Sequence, residues 1–195
     1  MTTQKTSRPG QRAFLVDVER CIGCFTCAMA CKNYYQQETG VVWRQLYPLD
    51  EAIYPHRERA FFSLACNHCE NPACLNACPV KAYEKREDGV VVHHQDRCIG
   101  CGNCIRSCPY GAPRYNPVLK KAEKCSLCHE RLDAGEQPAC VQSCPVRALR
   151  LVDIAALSTA DAANAVQYPA GYPEMPQVNP STRFIMPRTP RVVRR

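Results

Sequence analysis

The sequence predicts an α+β fold made of two small cysteine-bound units, one nested inside the other, with an extended tail at the C-terminus. Three observations lead there. Sixteen cysteines in 195 residues fall into four groups of four. The groups sit in an internal pseudo-repeat: VDVERCIGC and HHQDRCIGC open groups one and three, while ACPVKAYEKREDGVVV and SCPVRALRLVD close groups two and four. Such repeats mark duplicated modules. From about Leu157 the composition turns Ala-rich and then Pro-rich, which favours extended chain over a further domain.

In chain order, residues 1–11 read as a disordered N-terminus. Group one is Cys21, Cys24, Cys27 and Cys31, spaced C-x2-C-x2-C-x3-C and followed by Lys32. Residues 32–60 connect it to group two and carry Trp43, Tyr47 and Tyr54, read as packing residues. Group two is Cys66, Cys69, Cys74 and Cys78, with the middle gap opened to x4 and Pro79 after the last cysteine. EKREDGVVV follows, and Asp88-Gly89 ahead of valines is a hairpin signal. Group three, Cys98, Cys101, Cys104 and Cys108, is the unaltered C-x2-C-x2-C-x3-C-P run of bacterial iron–sulfur proteins. Group four is Cys125, Cys128, Cys140 and Cys144, its middle gap an eleven-residue excursion, HERLDAGEQPA. The tail holds Pro169, Pro173, Pro176, Pro180, Pro187 and Pro190 and ends RTPRVVRR.

The chemistry follows from the spacing. Three thiolates reach three corners of one cubane, so the chain wraps tightly around it, and in two-cluster proteins the fourth cysteine ligates the neighbouring cluster. Gly23, Gly100 and Gly102 suit that wrap because they tolerate unusual backbone angles. Four groups that consume every cysteine therefore predict four [4Fe–4S] clusters. Zinc ribbons also use C-x2-C pairs, but they do not explain the x3-C-P additions. A Rieske centre would need a later C-x2-H that is absent, and no C-x3-C-x2-C radical-enzyme motif occurs. His68 and His129, beside cluster cysteines, read as packing or capping residues rather than ligands.

Composition excludes other classes. No run approaches the roughly 18 apolar residues of a membrane helix, and the first residues lack a signal peptide's apolar region, so no direct membrane span is expected. Without export of its own, metal-bound thiolates fit better than a disulfide framework. The formal charge of +7 omits the bound thiolates, and Lys and Arg are scattered except at the C-terminus, so no nucleic-acid partner is expected. No acid–base or nucleophile constellation is evident, which suits a non-catalytic electron-transfer subunit. The rivals are an enzyme using the clusters as internal wires and a zinc-stabilised interaction module. Arg20, Arg97 and Lys124, each preceding a group, either raise potentials or are solvated loop charges, and the sequence weighs the two evenly.

The repeat and the hairpin favour nesting. The inner unit spans 60–115 with groups two and three, and the outer unit spans 12–59 and 116–156 with groups one and four. The tail is 157–195. Each site then takes three cysteines from one group and the last of its partner group. Cluster 1 is Cys21, Cys24, Cys27 and Cys144, and cluster 2 is Cys31, Cys125, Cys128 and Cys140. Cluster 3 is Cys66, Cys69, Cys74 and Cys108, and cluster 4 is Cys78, Cys98, Cys101 and Cys104. Spacing alone leaves sequential pairing, one with two and three with four, open.

CNHCENPAC, KREDGVVV, CIGC, CPYGAPRYN and the loop before CVQSCP resemble the four-cluster iron–sulfur subunit of the dimethyl sulfoxide reductase / molybdopterin oxidoreductase family, over about residues 12–155 with an echo at RFIMPRTP. The resemblance implies a complex in which an integral membrane anchor oxidises quinol and a catalytic subunit, holding molybdenum bis(pterin guanine dinucleotide), reduces the substrate. It supports nested ligation and implies an order: the Cys98 cluster faces the anchor, then the Cys66 and Cys125 clusters, with the Cys21 cluster nearest the catalytic subunit. Cys101 stands where some respiratory relatives carry tryptophan and hold a three-iron cluster, so four cubanes are expected. The resemblance also implies a peripheral location on the inner membrane, at the periplasmic face, by co-export with a twin-arginine partner. Equivalent subunits serve polysulfide, thiosulfate or tetrathionate reductases, formate dehydrogenases and hydrogenases. The substrate is not written in this chain.

Overall fold

The cysteine groups dictate the local backbone. In the structure, a computed structural model describing residues 10–49, 60–157 and 159–187, the second residue after the first cysteine of every group is left-handed. These residues are Gly23 (φ 68°), His68 (44°), Gly100 (72°) and Leu127 (57°). Three groups repeat the device three residues after their last cysteine, at Lys81 (φ 50°), Gly111 (57°) and Arg147 (51°). A left-handed residue reverses the chain within a single step, which turns successive cysteines toward one centre.

The elements run β1 (Arg12–Asp17), α1 (Thr26–Tyr34), β2 (Gln45–Pro48), β3 (Phe61–Leu64), α2 (Ala73–Asn76), β4 (Tyr83–Lys85), β5 (Val91–His93), α3 (Asn103–Ser107), β6 (Arg114–Asn116) and β7 (Lys121–Glu123). They continue with α4 (His129–Asp133), α5 (Ala139–Gln142), β8 (Leu149–Asp153), α6 (Thr159–Asn164), β9 (Ala165–Val166) and β10 (Arg183–Ile185). Proline explains the helix lengths. Pro79, Pro109 and Pro145 bar the preceding cysteine from the helical region, so α2, α3 and α5 end before Cys78, Cys108 and Cys144. Cys108 is accordingly extended, with ψ 113°. Group one has Lys32 instead, and α1 runs on past Cys31 to Tyr34.

Two strand pairs relate the groups. β4 and β5 form an antiparallel hairpin between groups two and three, in register from Tyr83↔His93 to Lys85↔Val91, with Gly89 at φ 80° in its turn. β1, ahead of group one, pairs antiparallel with β8, which follows group four, from Arg12↔Asp153 to Val16↔Leu149. α1 packs on α5, and α2 on α3. One small core gathers Cys74, Tyr83, Val91, Cys104 and Ala122, while the larger one centres on Phe14, Val16, Leu127, Leu149 and Phe184.

The tail differs from the reading of its composition. β10 lies inside a four-stranded sheet of order β8-β1-β10-β9, parallel to β1 with Val16↔Phe184 in register. Phe184 is fully buried against Phe62 and Tyr172, with ring centroids 5.4 and 5.1 Å away. Prolines hide this strand from a compositional reading because only three residues, Arg183–Ile185, pair in it. Before it, the Val178 and Asn179 carbonyls accept from Asn71 and Glu70, and Ser181 Oγ donates to the His68 carbonyl at 2.8 Å. The tail thus straps the loop that carries group two. At the other end residues 1–9 lie outside the described residues, as does Tyr54, whereas Gln11 is buried and donates to the Gly89 carbonyl at 3.3 Å.

Gly100 and Gly102 separate backbone strain from steric conflict. Both have φ near 72°, where an L side chain costs about 1–2 kcal/mol. A Cβ on Gly100 would also collide with the Lys120 carbonyl, whereas one on Gly102 meets only the mobile end of Arg106 at 3.1 Å. Gly102→Ala should lower holoprotein stability by about 1–2 kcal/mol. Gly100→Ala should cost clearly more and reduce bound iron, measured by thermal unfolding and iron content per chain; equal effects would refute the steric assignment.

Candidate metal centres

All sixteen cysteines are free thiols. Eight are buried (Cys27, Cys31, Cys66, Cys74, Cys104, Cys125, Cys128 and Cys140), six are half-buried, and Cys24 and Cys101 are exposed. The left-handed turns and short helices bring them together across the chain. Cys21, Cys24, Cys27 and Cys144 line one pocket, with Val16, Leu46 and Leu149 among its apolar walls. Cys66, Cys69, Cys74 and Cys108 line another, walled also by Pro109, Tyr110 and Lys124. Cys78 and Cys98 pack on the small core that contains Cys104. Cys31, Cys128 and Cys140 are close enough for their charges to act on one another, as are Cys31, Cys125 and Cys140.

These sets suit clusters in three respects. First, in the Cys21 and Cys66 sets four thiols surround a space rather than a point. A zinc ion about 2.3 Å from each sulfur would draw them into one tight tetrahedron, and among the described residues no three His, Cys, Asp or Glu side chains close around a single-ion position. Second, protein N–H groups already point at sulfur. His68 donates to Cys66 at 3.5 Å, Ala82 to Cys78 at 3.3 Å, Ala112 to Cys108 at 3.5 Å and Leu127 to Cys125 at 3.4 Å, all from the backbone. Gln37 Nε2 adds a bond to Cys31 at 3.3 Å. Donors of this kind favour thiolate and tune iron–sulfur potentials.

Third, the thiols need a metal to become thiolates. Burial pushes those of Cys31 and Cys74 up to about 12, with neighbouring cysteines adding to the effect. Burial likewise raises Cys125 and Cys140. At neutral pH such groups keep their protons until metal displaces them, so loading releases protons and is linked to folding. Cys24 goes the other way: hydrogen bonds from Thr26 hold this exposed thiol below its ordinary value.

The other residues singled out by sequence separate cleanly. Arg20 and Arg97 are exposed, while Lys124 is buried, its ammonium donating to the carbonyls of Val91 and Cys125. His68 is buried and its Nδ1 accepts from Val91 N–H at 3.0 Å. Burial, then the charges of Lys124, Lys85 and Arg44, hold it well below the ordinary imidazole value, so it is neutral. Trp43 packs against Tyr35, ring centroids 4.6 Å apart and planes tilted by 38°, and donates to Glu123, a packing arrangement. Sequence reasoning missed Gln37, Ser63 and Arg44, which lie between cysteine groups; the one available signal was a cation within the apolar run VVWRQL.

Comparison with known proteins places this geometry in context. Residues 57–154 match a 4Fe-4S dicluster domain and residues 18–35 a 4Fe-4S binding domain. The chain is 44% identical over 147 residues to a chain of the anaerobic dimethyl sulfoxide reductase of Escherichia coli, covering 71% of this chain and 72% of that one. It is 40% identical over 134 residues to a subunit of the tetrathionate reductase of Salmonella typhimurium, covering 68% and 54%. It is 37% identical over 155 residues to an NrfC homolog of Haemophilus influenzae, covering 77% and 68%.

Because cysteines occupy both cores, removal of iron should cost the fold and not only the colour. Stripping iron from the brown holoprotein with a chelator is expected to collapse its dispersed NMR spectrum, with about sixteen iron and sixteen sulfide per chain lost. A well-dispersed spectrum from the metal-free chain would contradict this.

Proposed function

This chain belongs to the family of iron–sulfur subunits of dimethyl sulfoxide reductase, and from that membership we propose that it is the relay between a quinol-oxidising membrane anchor and a molybdopterin catalytic subunit. It binds [4Fe–4S] clusters and serves electron transport within an oxidoreductase. When bound, the clusters supply one-electron carriers. The chain's own work is to hold them in order, exclude water and present the two ends of the series to partners.

The observation that carries this reading is the exposure of two cysteines, Cys24 and Cys101, each within an apolar surface. Beside Cys24 stand Ile22, Phe25 and Met29, all about half exposed. Beside Cys101 stand Ile99 and, on the turn that packs against Gly100, Val118 and Leu119. Apolar side chains clustered in water mark surfaces that a partner covers. The Cys24 surface is assigned to the catalytic subunit, which carries molybdenum bis(pterin guanine dinucleotide), and the Cys101 surface to the anchor. Among the described residues no helix is long and apolar enough to cross a membrane. Following the family resemblance, the proposed anchor holds the complex at the periplasmic face of the inner membrane.

Nested ligation is part of the proposal: groups one and four share clusters 1 and 2, and groups two and three share clusters 3 and 4. The cysteine-lined cavities, the α1–α5 and α2–α3 contacts and the β1–β8 pair support it. The 40% identity to a tetrathionate reductase subunit supports the same role beside another catalytic subunit, since the acceptor is chosen there.

Two substitutions test this. Cys144→Ser should disturb the same EPR signal as Cys24→Ser; if it disturbs the signal lost in Cys101→Ser, pairing is sequential. Cys101→Ser replaces a soft thiolate with a harder, less acidic oxygen, so the iron at that corner is held weakly and leaves. The oxidised complex should show a three-iron signal. Quinol-linked turnover should fall while assembly with the catalytic subunit and turnover with an artificial donor persist. Unchanged quinol-linked turnover would remove that cluster from the route.

A further inference from the structure

A buried cation lies between the first two cysteine sets. Arg44, immediately before β2, is 1% exposed, the bulkiest of the fully buried side chains among the described residues. Its Nη1 donates to the Ser63 carbonyl at 3.1 Å and to Ser63 Oγ at 3.0 Å, and its guanidinium lies 4.2 Å from the Phe14 ring centroid. Nε and Nη2 are buried without a hydrogen-bond partner. A buried guanidinium with two idle donors is strongly unfavourable unless negative charge lies close by.

Once iron displaces the thiol protons, the negative charge around Arg44 comes from sulfur. Cys140, Cys27, Cys125 and Cys31 are the sulfurs near enough to act electrostatically on its guanidinium. One of these, Cys27, belongs to the first set and also hydrogen-bonds Ser63 Oγ at 3.4 Å, the same hydroxyl that anchors Arg44. The other three belong to the second set. Arg44 in turn opposes the burial effect on the Cys140 thiol. Lys124, the other buried cation among the described residues, has its ammonium committed to two backbone carbonyls.

We propose that Arg44 is the shared counter-cation of clusters 1 and 2, raising the reduction potentials of both by stabilising their more negative, reduced states. The proposal rests on the assignment of those cysteine sets as cluster ligands. A fixed positive charge stabilises whichever redox state carries more negative charge, and low local dielectric strengthens the effect. Arginine suits the position because it stays charged when buried and its planar fork offers donors in several directions, one edge to Ser63 and the others toward the two sets. Its placement favours electrons at the end of the series assigned to the catalytic subunit.

The test is an EPR-monitored redox titration of the assembled complex carrying Arg44→Gln or Arg44→Lys, with iron and sulfide counted in each. Arg44→Gln keeps a polar side chain but no charge. It should lower the reduced-to-oxidised ratio of clusters 1 and 2 at least tenfold at a fixed potential, a shift of about 59 mV for one electron, and leave clusters 3 and 4 unmoved. Arg44→Lys, which keeps the charge, should restore most of the loss, an outcome that a purely structural role would not produce. Four loaded clusters with unchanged potentials would overturn the proposal while leaving the ligand assignment standing. Loss of cubanes from the unsubstituted complex would instead overturn the assignment. Should Arg44→Gln fail to load, the unsubstituted complex decides: with arginine labelled in heavy nitrogen, pulsed EPR of reduced clusters 1 and 2 should detect arginine nitrogen, and its absence refutes the proposal.

Discussion

Ligation of cysteine is the constraint from which the remaining structure follows. Valine and leucine usually fill the interior of a chain this size, but here Cys74 and Cys104 help build one core while Cys27, Cys66, Cys125 and Cys140 sit in the other. A thiol buried this way contributes modest apolar contact and carries a raised pKa, so the protein interior is completed only when metal replaces the protons. This explains why the secondary structure can be so meagre. The strands flanking the cysteine groups run three to six residues and three of the cysteine-bearing helices only four or five, lengths that do not persist alone. They persist because each is tied at a cysteine to a common centre.

The same constraint sets the backbone. Leu127 and His68 adopt left-handed angles that glycine takes freely at Gly23 and Gly100, at a cost of roughly 1–2 kcal/mol each. The gain is a sulfur that accepts its own loop's amide, as Cys66 and Cys125 do. At His68 the side chain adds compensation: its Nδ1 takes the amide of Val91 on β5, and the tail's Ser181 takes its carbonyl. A strained turn in group two is thereby held from three directions, by its cysteine, by the inner hairpin and by the strap from the C-terminus.

What the sequence disclosed and what it hid divide along a physical line. Features fixed by neighbours in the chain were legible: the four groups and the Asp88-Gly89 hairpin. Features fixed by partners far along the chain were not. β10 needs β1, more than 160 positions away, before Arg183–Ile185 becomes a strand. Arg44 reads as an ordinary loop cation until Ser63, Phe14 and Cys140 are folded around it. Arg20, Arg97 and Lys124 look equivalent in sequence because each precedes a cysteine group, yet only Lys124 is buried, its ammonium held by carbonyls of β5 and of Cys125.

That division bears on how near-identical ligand sets come to differ. Spacing marks which cysteines form a group, but potential depends on net charge, hydrogen bonding and exposure, which long-range packing decides. The first set has one cysteine in water, Cys24, and a buried arginine near Cys27; the second has all four cysteines buried, with Cys125, Cys140 and Cys31 near that arginine. The third is walled by Lys124 and strapped by the tail, while the fourth exposes Cys101 and, among the described residues, lies beside no buried arginine or lysine of its own. Four copies of one motif thus occupy four distinct electrostatic settings. The formal charge of +7 conceals this, since it counts exposed lysines equally with two cations placed against sulfur. The position of a charge relative to the thiolates, and not the total, gives such a series of carriers a direction.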